Sequence, residues 1–122
     1  MVYSYLMNTK LTEKKCQVCE VGGASLSEPD ISTLAGELGG GWEVLGGKKI
    51  TKTFSFPDFK QTMIFVNKVA DLAEEEGHHP DMRVSWGKAV IELSTHAVKG
   101  LSENDFILAA KIDALLTLKF NK

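Results

Sequence analysis

The chain has 122 residues, enough for one domain and too few for a second core of ordinary size. Hydrophobic residues make up 43% and charged residues 25%, with a formal net charge of −2, which argues against a disordered chain and against a concentrated basic face for nucleic acid. No apolar run approaches the ~18–20 residues that span a bilayer, and the opening stretch Met1–Met7 lacks the basic and long apolar regions of a signal peptide, so a cytoplasmic address is expected.

The two cysteines stand together as Cys16-Gln17-Val18-Cys19. A structural zinc site usually needs four ligands in two such pairs, and no second pair exists. A thioredoxin-like motif needs a strand before it and a helix starting at it, whereas Thr12–Lys15 precede this one and Gly22-Gly23 follow. Residues 1–24 therefore read as a less ordered N-terminal extension of a single domain spanning 1–122.

The first helix is announced by Ser27-Glu28-Pro29-Asp30, with Ser27 as the cap and Asp30 at the capping-box position. Ile31, Leu34, Ala35 and Leu38 form its apolar stripe, and Gly39-Gly40-Gly41 ends it. Trp42–Leu45 predicts a short strand, Gly46-Gly47 a turn, and Lys49–Phe56 a second strand with Ile50, Phe54 and Phe56 on one face. Pro57-Asp58 opens a second helix whose expected stripe is Phe59, Met63, Val66, Ala70 and Ala73, closed by Glu74-Glu75-Glu76-Gly77. Met82–Trp86 and Ala89–His96 then predict two strands joined by a two-residue turn at Gly87-Lys88. A second capping box, Ser102–Asp105, starts a helix through Ala109, Ile112, Leu115 and Leu116. The order is helix, then strand–strand–helix twice. That order predicts an α+β fold of two layers, one four-stranded antiparallel sheet with helices on one face.

A turn at Gly87-Lys88 would set Trp86 against Ala89, Val84 against Ile91 and Met82 against Leu93, and would bring His79 opposite His96. In that register Trp86 reads as a core or interface aromatic, and the histidines fall on the polar face with Asp81, Arg83, Ser85, Glu92 and Ser94. His78 lies at the helix-to-strand junction, and Pro80 restricts His79 to extended backbone. The chain's three histidines thus converge beside Glu74. Acid–base catalysis is one reading. A catalytic zinc, which commonly takes three protein ligands, is the rival. Adjacent histidines diverge in regular backbone and make poor joint ligands, which favours a site with no metal.

The pattern Glu74, three positions, His78-His79-Pro80, then Trp86, His96 and Asp105 resembles the pterin-4a-carbinolamine dehydratase family. Val69–Ala73, Ser94-Thr95-His96 and Gly100-Leu101-Ser102 are similar as well, so the likeness runs from about Cys16 to Leu115. The Cys16–Cys19 motif followed by Gly22-Gly23 also looks like the start of many bacterial members.

The resemblance implies dehydration of a 4a-hydroxytetrahydropterin to the quinonoid dihydropterin, which supports tetrahydropterin recycling and uses no metal or organic cofactor. It implies His78, His79 and His96 as catalytic residues, with His78 and His96 carrying the proton transfers and His79 mainly binding the ring. Glu74, Ser94, Thr95 and Asp105 are the implied substrate-binding residues; for Asp105 the helix cap is an equally good reading, and it can serve both roles. Expected partners are a pterin and further copies of the chain, as a homodimer or homotetramer, with neither nucleic acid nor membrane. Two other functions remain open at this level: a non-catalytic dimerisation or coactivator-type binding protein, and a zinc hydrolase.

Overall fold

The computed structural model describes residues 11–17 and 22–120, with side chains as far as Leu116. Its elements are α1 (Glu28–Gly36), β1 (Glu43–Leu45), β2 (Lys49–Ser55), α2 (Phe59–Glu76), β3 (Asp81–Ser85), β4 (Lys88–Leu93), a 3-10 turn (His96–Val98) and α3 (Glu103–Phe120). The strands form one antiparallel sheet, as the strand–strand–helix repeat predicts, and their order in it is β1-β2-β4-β3.

Alternation along the central strands decides which face is covered. Ile50, Phe54 and Phe56 are buried, as are Ala89, Ile91 and Leu93, while Thr53, Ser55 and Lys88 are exposed. Because Ile50 pairs with Leu93 and Phe54 with Ala89, the two apolar rows lie side by side and bury against helices. The Phe65 ring of α2 packs 4.7 Å from that of Phe54 and 5.1 Å from that of Phe56, fastening the helix to β2. From α3, Phe106, Leu108, Ala109 and Ile112 complete the core with no exposed surface.

Three local expectations need correction. Helix α1 ends at Gly36, so Leu38 packs from the turn beyond it, and the Ser27 hydroxyl meets the Asp30 carboxylate at 3.1 Å rather than capping backbone. The buried stripe of α2 is Thr62, Phe65, Val66, Val69, Ala73 and Glu76, whereas Phe59 is 48% exposed. An apolar count misses Thr62 because it is polar, yet its hydroxyl donates to Asp58 O at 2.8 Å and to Trp86 O at 3.1 Å, which makes burial affordable.

The third correction bears on the site. The hairpin turn is Trp86-Gly87, so Val84 pairs with Ala89, Met82 with Ile91 and Asp81 with Glu92. This register differs by two residues from the expected one, which leaves each side chain on its expected face. Trp86 moves to the turn, 66% exposed, and no longer faces Ala89. A contact outside the hairpin explains the choice. Phe56 N donates to Gly87 O at 2.8 Å, and a Cβ on Gly87 would stand 2.9 Å from Phe56 O. The end of β2 thus holds a glycine at the turn. Strand β4 stops at Leu93, Thr95 bridges to Gly100, and His96 falls in the 3-10 turn, so His79 and His96 are not a cross-strand pair.

The segment before α1 is also tied into the fold. Leu11 is 1% exposed in the core, Cys16 N donates to Glu76 Oε1 at 3.0 Å, and Gln17 exchanges backbone bonds of 2.9 and 2.6 Å with the Asn104 side chain. Residues 11–17 are therefore part of the packed unit, and Cys19 lies outside the described residues.

Candidate functional site

Helix α2 ends at Gly77, whose φ of 69° is left-handed and whose N–H bonds Ala73 O at 2.9 Å. His78 N reaches the same carbonyl at 3.2 Å, which turns the chain sharply out of the helix. The imidazole of His78 is thereby aimed at the first turn of α3, where its Nε2 lies 2.6 Å from Asp105 Oδ1. The Asp105 side chain has no exposed surface and that of His78 only 12%.

The other carboxylate oxygen is fully occupied. Asp105 Oδ2 accepts from Thr95 Oγ1 at 2.8 Å and from Ser102 N at 3.0 Å, and the Thr95 and Ser102 hydroxyls are 2.7 Å apart. Asp105 thus both caps the start of the helix and partners a histidine. A carboxylate can only accept, so Nε2 of His78 is the donor in this bond, and in a neutral ring Nδ1 would be the nitrogen with the lone pair. Thr95 is 5% exposed with its hydroxyl committed to this chain, and its backbone is committed as well, the N–H donating to Gly100 O at 2.7 Å and the carbonyl accepting from Val98 N and Gly100 N.

His79 takes a different partner. Its Nε2 is 2.6 Å from Glu74 Oε2, and both side chains are exposed, at 59% and 78%. Glu74 therefore pairs with the second histidine of the run, one helical turn back. His96 is exposed at the start of the 3-10 turn, where it lines a recess of about 310 Å3 with Ser94 and Thr95. The bonded chain from His78 through Asp105 to Thr95, residue neighbour of His96, links the two histidines in place of the expected ladder pairing. Among the described residues, no group of three or more His, Cys, Asp or Glu side chains is arranged to hold a metal ion.

A second polar cluster, absent from the sequence reading, braces the same helix ends. Glu76, 3% exposed, receives Lys111 Nζ at 2.5 Å and the Cys16 N–H, and burial is outweighed so that its carboxyl stays below the ordinary 4.5. Cys16 is affected in the opposite sense. Burial, then the Glu76 charge, pushes its thiol from 9.0 up to about 12. A signal for Glu76 was present in the spacing, since Thr62, Val66, Val69, Ala73 and Glu76 recur at four and three residues along one helix face. Ser102 could be found as the cap but not as a partner of Thr95, because that contact spans two elements.

Comparisons with known proteins give the family. The family described as pterin 4 alpha carbinolamine dehydratase matches residues 24–115. A relative from Rickettsia bellii, given the name pterin-4-alpha-carbinolamine dehydratase by similarity, is 49% identical over 105 residues, covering 86% of this chain and 93% of that protein. One from Nitrosospira multiformis with the same kind of name is 49% identical over 108 residues, covering 88% and 94%. Among solved structures, a transcriptional coactivator/pterin dehydratase from Brucella melitensis superposes with a TM-score of 0.70 at 30% identity, covering 75% of this chain and 97% of that one. A pterin dehydratase-like protein identified as a RuBisCO assembly factor in the alpha-carboxysome gives 0.55 at 29% identity, covering 63% and 90%. The family match over most of the chain and relatives at 49% identity show that the chain belongs to the pterin-4a-carbinolamine dehydratase family.

Proposed function

We propose that this chain dehydrates 4a-hydroxytetrahydropterins to quinonoid dihydropterins by histidine acid–base catalysis, as a homodimer or homotetramer. The observation that carries the reading is the His78–Asp105 bond of 2.6 Å, made to a fully buried carboxylate that Thr95 and Ser102 hold in place. A histidine held against a buried carboxylate is equipped to move a proton near neutral pH.

The elimination balances simply. A proton is delivered to the 4a-hydroxyl, the C4a–O bond breaks and water leaves. The proton on N5 is removed, and its bonding pair becomes the new N5=C4a double bond. The C4a–O pair leaves with the water and the pair from N5 closes the double bond, so there is no net oxidation or reduction and no redox cofactor is required. His78, through Nδ1, and His96 are the proposed acid and base. His79, oriented by Glu74, lies against the ring, and Ser94 offers a further contact.

The expected result is that His78→Ala and His96→Ala each lower kcat by about 10²–10⁴-fold with the fold intact. Near-normal rates in both would remove the assignment. Exhaustive chelation should leave turnover intact; loss of activity that zinc restores would favour the hydrolase-type rival. A binding role is a second reading, favoured by the coactivator and assembly-factor descriptions of the two structural relatives. It predicts that partner binding survives His78→Ala, whereas dehydration does not.

A further inference from the structure

The recess beside His96 is bordered by Lys48, Lys49, Ser94 and Lys99 as well as by the histidine itself. Lys48 and Lys49 come from the β1–β2 turn and the first residue of β2, and Lys99 from the end of the 3-10 turn, so two separate stretches of the chain bring lysines to one concave wall. The chain as a whole is acidic, with 14 Lys and Arg against 16 Asp and Glu, which makes this local excess a departure from the surface average. Lys49 is partly neutralised, its Nζ lying 3.5 Å from Glu92 Oε1. Lys48 and Lys99 form no ion pair with any described residue. Lys99 is also held at φ 56°, a left-handed conformation that a lysine adopts at a cost and a glycine would adopt freely.

A pair of neighbouring lysines in a turn is ordinarily a solvated surface. The distinguishing feature here is the meeting of Lys48 and Lys99 from different elements around a cavity that a candidate catalytic histidine shares. The chemistry of the proposed substrate says what such a wall would meet. The reacting atoms are C4a and N5, and the substituent that differs among pterins hangs from C6, which is bonded to N5. A residue that handles a proton at C4a or N5 is therefore close to the start of that side chain, and the surface continuing past the residue receives the rest.

We propose that the recess of Lys48, Lys49, Lys99 and Ser94 binds a phosphate ester at the end of the C6 side chain, making phosphorylated pterins the preferred substrate class. This rests on the dehydratase reading of the site. Lysine recognises phosphate as a point charge, and Ser94 adds a hydroxyl within the same wall.

Dehydration rates of two 4a-hydroxytetrahydropterins, identical except for a terminal phosphate on the C6 side chain, test the inference. The intact chain should favour the phosphorylated form about tenfold in kcat/KM, mainly through KM, with the preference shrinking as salt rises. In the double variant Lys48→Gln, Lys99→Gln the ratio should fall toward one. Equal kcat/KM for the two substrates in the unaltered chain overturns the inference and leaves dehydration standing, and so does a preference that survives the double variant. If neither substrate turns over, the dehydratase reading fails instead, and titration with the stable oxidised pterins, followed by their fluorescence, decides the inference separately. About tenfold tighter binding of the phosphorylated pterin, lost in the double variant, sustains it, and equal binding overturns it.

Discussion

Asp105 joins a helix start to a histidine, and the two roles separate under substitution. In Asp105→Asn one acceptor oxygen can still receive Ser102 N, but the amide NH2 can donate toward His78 and favour the wrong tautomer. The expected outcome is a loss of about 10²-fold or more in kcat for the proposed dehydration, with a displaced pH–rate profile and a smaller loss of stability. Thr95→Val removes one donor from Asp105 Oδ2 and should lower kcat by about tenfold, with Thr95→Ser restoring it, since the hydroxyl is the part in contact. Steady-state kinetics of the three variants checks the order. Cys16 gives an independent prediction. With its thiol pushed up to about 12 it stays protonated at neutral pH, so in a Cys19→Ser chain alkylation should be slow until denaturant is added.

Glu76 belongs to the same scale and carries a pH dependence. Its carboxyl is held below 4.5 in the folded chain, so its contribution is full at neutral pH and fades as pH falls through the lower folded value. Urea unfolding across pH 3–7 should show this part of the acid slope missing in Glu76→Gln. Lys111→Met leaves the buried carboxylate without its cation and should cost roughly 3–5 kcal/mol at pH 7.

At the scale of elements, two glycines set the geometry. Gly77 occupies the left-handed position that ends α2 and sends His78 toward Asp105, so Gly77→Ala should cost about 1 kcal/mol and lower kcat as well, through displacement of the imidazole. Gly87 is required for a different reason, because a Cβ there would press on the Phe56 carbonyl of the neighbouring strand. Gly87→Ala should destabilise by about 1–3 kcal/mol in denaturant unfolding, because the obstacle is backbone and not a flexible side chain. Element boundaries were largely legible from caps and glycines: the Asp58 cap and the Gly77 stop both stand where their residue types predict. The hairpin register was not. Gly87-Lys88 and Trp86-Gly87 are both plausible two-residue turns, each keeps the apolar residues on one face, and local pattern has no means of choosing between them. The choice comes from β2, a partner more than thirty residues earlier in the chain.

At the scale of the whole molecule, the open face of the sheet and its two edge strands, β1 and β3, leave backbone groups and the exposed Val84 and Trp86 without cover from the described residues. Sedimentation velocity is expected to return a mass two or four times 13.4 kDa, and a single 13.4 kDa species would remove the proposed self-association. No described helix is long and apolar enough to cross a membrane.

By itself the sequence determined the α+β class and the order of elements, because periodicity, caps and glycines act over a few residues, and its motif, read at fixed spacing, marked the candidate site residues. Only the tertiary structure decided who partners whom. His79 met Glu74 instead of His96, His78 met Asp105, the Thr95 hydroxyl turned inward to that carboxylate, and Glu76 became a buried anchor for Cys16 and Lys111. Each of these pairings except His79–Glu74 joins separate elements, and their meeting depends on helix rotation and strand register, which packing across the whole core selects.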